Sequence, residues 1–240
     1  MKASLFITCI ADQFFPQIGK STVAVLRRLG VEVDFPSGQT CCGQPAFNMG
    51  YWEEAREVAA RMLEIFRDSE YVVAPSGSCT VMLRHHYRDL FAGDSERLEQ
   101  AESLSKRSYE LAEFLVRVLK VEDVGACFPH KVAWHESCHL TRGLGVKEEP
   151  RRLLRAVRGI QFVEMTACEV CCGFGGAFSV KLPEISTAMM DDKLNQIAAT
   201  GAEYVIAGDA GCLMHIGGGA SRQKLPFRTL HLAELLARQE

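Results

Sequence analysis

Eight cysteines follow one spacing that is used twice: Cys9, then Cys41-Cys42-Gly43, then Cys79; and Cys138, then Cys171-Cys172-Gly173, then Cys212. As patterns these are C-x31-CCG-x35-C and C-x32-CCG-x38-C, with equivalent cysteines offset by 129, 130, 130 and 133 residues. Offsets so constant mark an internal duplication. The chain must therefore build one local structure twice, and each copy must gather sulfurs from three separated segments.

Between the cysteines the copies read alike. Apolar runs predict strands at 5–8, 31–35 and 71–74 and helices at 23–29 and 51–66. The second copy repeats the order, with strands at 132–135, 160–165 and 204–207 and helices at 151–157 and 185–199. Strands alternating with helices point to parallel sheets. The expected fold class is α/β: two pseudo-symmetric halves, each a small parallel sheet flanked by helices, with metal-binding cysteines at the C-terminal strand ends. Ligands gather at that edge in open parallel sheets. The stretch Ser95 to Lys120, with Leu104, Leu111, Leu115 and Leu119, reads as a helical connector. A boundary near Val124 to Pro129 divides the chain into a first repeat with its connector, residues 1–125, and a second repeat, residues 126–240.

A formal charge of −3 and a pI near 6.2 argue against nucleic acid or an anionic membrane as the main partner. No run approaches the roughly 18 apolar residues needed for a transmembrane segment. Residues 1–11 faintly imitate a signal peptide, but removing them would take Cys9 out of the repeat. With 48% apolar residues a chain of this length forms a core without disulfide staples. The adjacent pairs Cys41-Cys42 and Cys171-Cys172 would also make strained bridges. Reduced thiols in the cytoplasm are the expectation.

Thiolate sulfur is a soft ligand suited to iron–sulfur clusters and to zinc, and four cysteines per copy meet the count for either. The candidate cofactor- and metal-binding residues are Cys9, Cys41, Cys42 and Cys79 in one half and Cys138, Cys171, Cys172 and Cys212 in the other. The glycine after each pair lets the backbone bend around a bulky inorganic core. This pattern resembles the cysteine-rich CCG domain found in heterodisulfide reductases and in components of glycolate, glycerol-3-phosphate and succinate oxidoreductases. Two such repeats alone, in about 240 residues, look most like the lactate utilization protein A (LutA/YkgE) family.

That resemblance implies an iron–sulfur electron-transfer component of an L-lactate oxidation system, converting lactate to pyruvate. It further implies an oxidoreductase subunit, part of an L-lactate dehydrogenase complex. The implied cofactor is a 4Fe-4S type cluster, one or two per chain, with zinc in one site as the alternative. The implied partners are a LutB-type iron–sulfur protein and a LutC-type protein, with L-lactate as the substrate of the system. Two other readings stand beside it: a heterodisulfide or thiol–disulfide reductase subunit, and a zinc-stabilised interaction subunit without redox chemistry. The chain departs from the fuller family pattern, which ends in C-x-x-C. Here those elements are Ser76-Gly77-Ser78-Cys79 and Asp209-Ala210-Gly211-Cys212, so each site lacks one thiolate. This argues against a five-cysteine noncubane cluster.

Cys168, three residues before Cys171, either replaces a missing ligand or is an ordinary cysteine. Cys127 has no counterpart and is taken as structural. Asp209 is expected to cap the following helix rather than to supply an oxygen ligand. His135-Glu136-Ser137-Cys138-His139 fits the H-E-x-x-H zinc protease signature. It follows an apolar strand, however, and encloses a repeat cysteine, so protease chemistry is not expected. His139 remains a candidate donor or alternative ligand beside Cys138. Gly173-Phe174-Gly175-Gly176 is expected to wrap the metal site rather than bind a dinucleotide. Arg151, Arg152, Arg155 and Arg158 form a basic stripe expected to be solvated, with docking to an acidic partner as its other use.

Overall fold

The computed structural model describes residues 1–239. Two four-stranded, all-parallel sheets account for its strands. In the first, β1 (Lys2–Leu5), β2 (Glu32–Asp34), β3 (Tyr71–Ala74) and β4 (Ser108–Glu110) lie in the order β2-β1-β3-β4. In the second, β5 (Lys131–Trp134), β6 (Gln161–Val163), β7 (Tyr204–Ala207) and β8 (Arg228–His231) repeat it as β6-β5-β7-β8. Registers correspond too: Ala3 sits opposite Val33 and Tyr71, and Val132 opposite Phe162 and Tyr204. Each sheet reverses its winding between its two central strands, the switch point at which α/β sheets open a crevice beyond their C-terminal ends.

The central strands explain their sequences. Along β3, Val73 faces one core while Val72 and Ala74 face another, so the run must be apolar throughout. β7 does the same with Ile206 on one side and Val205 on the other. The largest apolar cluster draws on both halves, joining Leu5, Val25 and Phe114 to Val132, Leu153 and Leu235. Two smaller clusters lie on the outer faces, one per half.

The segment 95–120 is not one helix. Its helix Ser95–Arg107 stops where β4 begins, and a second helical stretch then runs over 111–118, its latter part, Phe114–Val118, π-helical. The leucines at 104, 111 and 115 are all buried, but in different elements, so their spacing imitated a single amphipathic face. The first strand also lies earlier than expected, at Lys2–Leu5 rather than 5–8. Phe6 still donates to Val73 O (2.9 Å), yet the chain turns at Thr8, whose φ is +71°. Three members of the arginine stripe, Arg152, Arg155 and Arg158, are exposed as expected, and the fourth is not. Arg151 is 5% exposed and pairs with Glu136 (2.6 Å) and Glu164 (2.8 Å), while the exposed Arg152 pairs with Glu122.

The closing helices are exchanged between the halves. Helix Leu232–Ala237, which follows β8, packs on helix Pro16–Arg28 of the first half. The stretch 111–118, which follows β4, packs on helix Glu148–Arg155 of the second half. A buried polar residue opens each. The ring of His231 accepts from Ala233 N–H and bonds Pro75 O (3.1 Å) across the interface. Glu110 accepts from Ala112 and Glu113 N–H, and its other carboxylate oxygen sits beside Gly208. Helix Gly77–Val81 also crosses the π-helical turn His139–Gly143 closely. Any Cβ on Gly77 would lie 2.9 Å from Leu140 Cβ.

Burial dominates the Glu110 carboxyl and pushes its pKa up to about 8, with the nearby Glu113 and Asp209 charges adding to the shift. His231 is pushed down to about 4, again by burial. The signs differ in consequence. The proton held by Glu110 stabilises the fold fully below the ordinary carboxyl pKa, and that contribution is lost as pH rises through about 8. His231 stays neutral when folded, so it costs stability only as pH falls from its ordinary value towards 4. Of these two groups only Glu110 titrates between pH 7 and 9. The cysteines that also titrate there are common to wild type and Glu110→Gln, so urea unfolding should show wild type losing about 1–3 kcal/mol relative to the variant over that interval. Equal slopes in the two proteins would refute this account.

Candidate metal centre

Strand ends and helix starts deliver the sulfurs. Cys9 opens helix Cys9–Phe14 just beyond β1, and Cys79 lies in the first turn of the helix beyond β3. Cys41 and Cys42 come from the loop after β2 and are followed by Gly43, whose φ is +86°. The second half matches. Cys138 precedes the π-helical turn 139–143, Cys212 sits in the first turn of helix Ala210–Arg222, and Gly173 has a φ of +87°. An N-terminal helical turn favours thiolate over thiol.

All eight motif cysteines line one cavity of about 170 Å³ between the halves. Cys42 and Cys79 sulfurs are 3.4 Å apart, and both residues are buried. Cys41 and Cys171 sulfurs accept from the Gly43 and Gly173 N–H groups at 3.5 and 3.4 Å. Tyr87 Oη donates to Cys42 O (3.0 Å) and pins the first pair from behind. Within each set the sulfurs share protons. Cys41 is pushed down to about 3, chiefly by the Cys42 thiol and then by Cys9, whose own thiol is pushed up. Cys171 is pushed down to about 2 by the Cys138 and Cys172 thiols, and both of those are pushed up. Cys212 is lowered to about 6, first by Cys172 and then by the neighbouring His135 ring, against the opposing effect of burial. Sulfurs so crowded and desolvated share their protons, and a soft cation would take the place of those protons.

The remaining candidates separate clearly. His139 lines the cavity, with Nδ1 3.6 Å from Cys138 Sγ, and burial lowers its pKa. Cys168 lies elsewhere: its sulfur is 3.4 Å from Arg151 Nη2, and it is not among the residues lining the cavity. Cys127 belongs to an isolated bridge with Arg158, away from the sulfur sets. Phe174, Gly175 and Gly176 do wrap the cavity. Asp209 occupies the cap position of helix 210–222, but its side chain makes no capping bond there. It turns instead to the other half, accepting from Ser76 Oγ (2.7 Å), Ser78 Oγ (2.8 Å) and Ser78 N–H (3.3 Å). The cap was the expected role because only local neighbours are visible in sequence. The partners that win lie more than 130 positions away. Ser76 and Asp209, the two positions without the family's extra thiolate, thus hydrogen-bond to each other. The H-E-x-x-H match fails structurally, since His135 follows β5 while His139 starts a separate turn.

The CCG family, described as a cysteine-rich domain, matches residues 3–84 and 132–217. Lactate utilization protein A 2 of Bacillus cereus (strain AH820) is 51% identical over 238 residues, covering 99% of this chain and 98% of that protein. The chain belongs to the lactate utilization protein A family. Lactate utilization protein A of Geobacillus thermodenitrificans (strain NG80-2) is also 51% identical, over 98% of both proteins. Among solved structures, a hypothetical protein from Helicobacter pylori superposes with a TM-score of 0.68 at 12% identity. It covers 100% of this chain, which spans only 49% of that one, and the likeness concerns the fold alone.

One residue at the centre escaped the sequence reading. His135 is fully buried, and a ring nitrogen lies within 4.8 Å of the Cys172 and Cys212 sulfurs. Its equivalent in the first half is Phe6: each backbone N–H makes the same strand-end bond, Phe6 to Val73 O and His135 to Ile206 O. A polar residue at a repeat position that is apolar in the other copy was the available signal.

Proposed function

We propose that this chain is the iron–sulfur electron-transfer component of an L-lactate oxidation system. The supporting observation is geometric: two sets of four cysteines, remote in sequence, converge at the switch points of two sheets and face one cavity. Membership of the lactate utilization protein A family supplies the pathway. In this reading Cys9, Cys41, Cys42 and Cys79 hold one centre, and Cys138, Cys171, Cys172 and Cys212 the other. The donor set fits the group, being all sulfur and half to fully buried. An iron–sulfur cluster held there would supply one-electron transfer at a potential tuned by burial and by hydrogen bonds to sulfur.

The protein's own residues do the tuning. Gly43 and Gly173 N–H groups aim at the Cys41 and Cys171 sulfurs, and Tyr87 fixes the Cys42 backbone. Burial of Cys42 and Cys172, each 2% exposed, keeps water from the inner side of each site. The Ser76–Asp209 bond holds the two sites in fixed relation. Exchange of electrons with LutB-type and LutC-type partners in the cytoplasm completes the proposal. No helix among the described residues is long and apolar enough to cross a membrane.

Anaerobic purification with iron, acid-labile sulfide and zinc quantified tests this reading. Iron and sulfide in cluster proportion are expected; stoichiometric zinc without sulfide would overturn it and favour a non-redox interaction subunit. A second reading has one observation in its favour. Low-pKa thiols Cys41 and Cys171 open onto a shared cavity, as a disulfide reductase would need. Disulfide reduction by the purified chain, with no lactate-linked activity in its complex, would select it.

A further inference from the structure

We propose that His135 is a direct ligand of the second centre, so that the two halves hold chemically different sites: sulfur alone in the first, sulfur and imidazole in the second. The inference rests on the reading that both sets bind metal. It stands on three observations about His135. The ring is completely buried, and a ring nitrogen lies within 4.8 Å of the sulfurs of Cys172 and Cys212. Neither ring nitrogen has a nitrogen or oxygen partner among the described residues, and the ring interacts with the Cys212 sulfur. A buried imidazole with only a sulfur for company is poorly satisfied unless another partner is intended. A cation between His135, Cys172 and Cys212 is such a partner.

The duplication sharpens the point. Phe6 occupies the same strand-end position in the first half and packs edge-on against Phe66 in an apolar cluster. That half therefore sets a hydrocarbon ring in the cluster with Cys42 and Cys79, where the second half sets a donor near Cys172 and Cys212. Each half lacks the last-element thiolate of the fuller pattern, at Ser76 and at Asp209. Those two side chains are engaged with one another, which leaves neither oriented as a free ligand. His135 supplies the missing donor in the second half only. Here the imidazole adds to four thiolates rather than replacing one, so it changes the ligand shell of the second centre without changing its charge. The two centres would then differ in potential.

The test uses the full chain in two forms, one reconstituted anaerobically with iron and sulfide and one loaded with cobalt(II) alone. In the reduced iron–sulfur form, pulsed electron paramagnetic resonance should show nitrogen coupling of the size expected for a bonded imidazole. That coupling should vanish in His135→Phe, which gives the second half the first half's residue, and one of the two midpoint potentials should shift towards the other. In the cobalt form, the absorption of a mixed sulfur–nitrogen site should convert to that of a site with one ligand fewer. Absence of bonded-nitrogen coupling in the wild type would overturn the proposal without recourse to any variant. So would unchanged potentials and cobalt spectra in His135→Phe. Thermal unfolding of metal-free His135→Phe, expected to match or exceed wild type, excludes misfolding as the cause. Should no sulfide be incorporated, the iron–sulfur reading fails, while the cobalt spectra still decide the role of His135.

Discussion

Replacing Cys42 or Cys172 with serine should strip metal from the half that carries the change and leave the other half loaded. Each is the most buried sulfur of its set, at 2% exposure, and Cys42 lies 3.4 Å from Cys79. Serine keeps the shape but offers a harder oxygen that ionises only far above neutral pH, a poor match for a soft centre. Because each set comes from its own half, the losses should be independent. Each single variant should retain about half of the wild-type metal, and the double variant essentially none. Metal analysis after anaerobic preparation measures this directly. Wild-type content in both single variants would remove these cysteines from the ligand set. Complete loss in either one would instead show a single centre shared across the cavity.

Gly173→Ala should be among the most damaging single-methyl changes available in this chain. The residue combines a φ of +87° with tight packing: a Cβ there would sit 2.6 Å from Ser186 O and 2.9 Å from Met189 Cβ. The first contact is with backbone of helix Pro183–Ala199, which cannot swing aside as a side chain could. Left-handed strain and overpacking together should cost about 2–4 kcal/mol, seen as a lower urea midpoint with accompanying loss of metal from the second half. Gly43→Ala is the internal control. Its φ is +86°, but the nearest atom, Ala55 O, is 3.4 Å away, so most of the steric cost is absent and only the conformational strain remains. Equal destabilisation by the two changes would show that the close approach to Ser186 is unimportant.

What could be read in the chain followed from where physics acts locally. The strands at Tyr71–Ala74 and Tyr204–Ala207 were legible to the residue, because a central parallel strand is buried on both faces and shows as an unbroken apolar run. Ser108–Glu110 and Arg228–His231 were not legible. They are short edge strands with polar residues at their ends, and the buried Glu110 and His231 meet Gly208 and Pro75 of the opposite half. The sulfur sets were visible because few arrangements need eight cysteines in repeated register. His135 was hidden by a misleading motif around it and by Phe6 at its counterpart position. The role of Asp209 was hidden because Ser76 is 133 residues away, and hydrogen bonds at that range leave no trace in spacing.

The exchange of closing helices sets an order of events during synthesis. The wall over helix Pro16–Arg28 is built from Leu232–Ala237, which the ribosome adds only after the strands of the second repeat. The N-terminal sheet therefore waits, with that face open to water, until translation of the second repeat is complete. A chain stalled at β8 would already carry all eight motif cysteines while that face still lacked its cover.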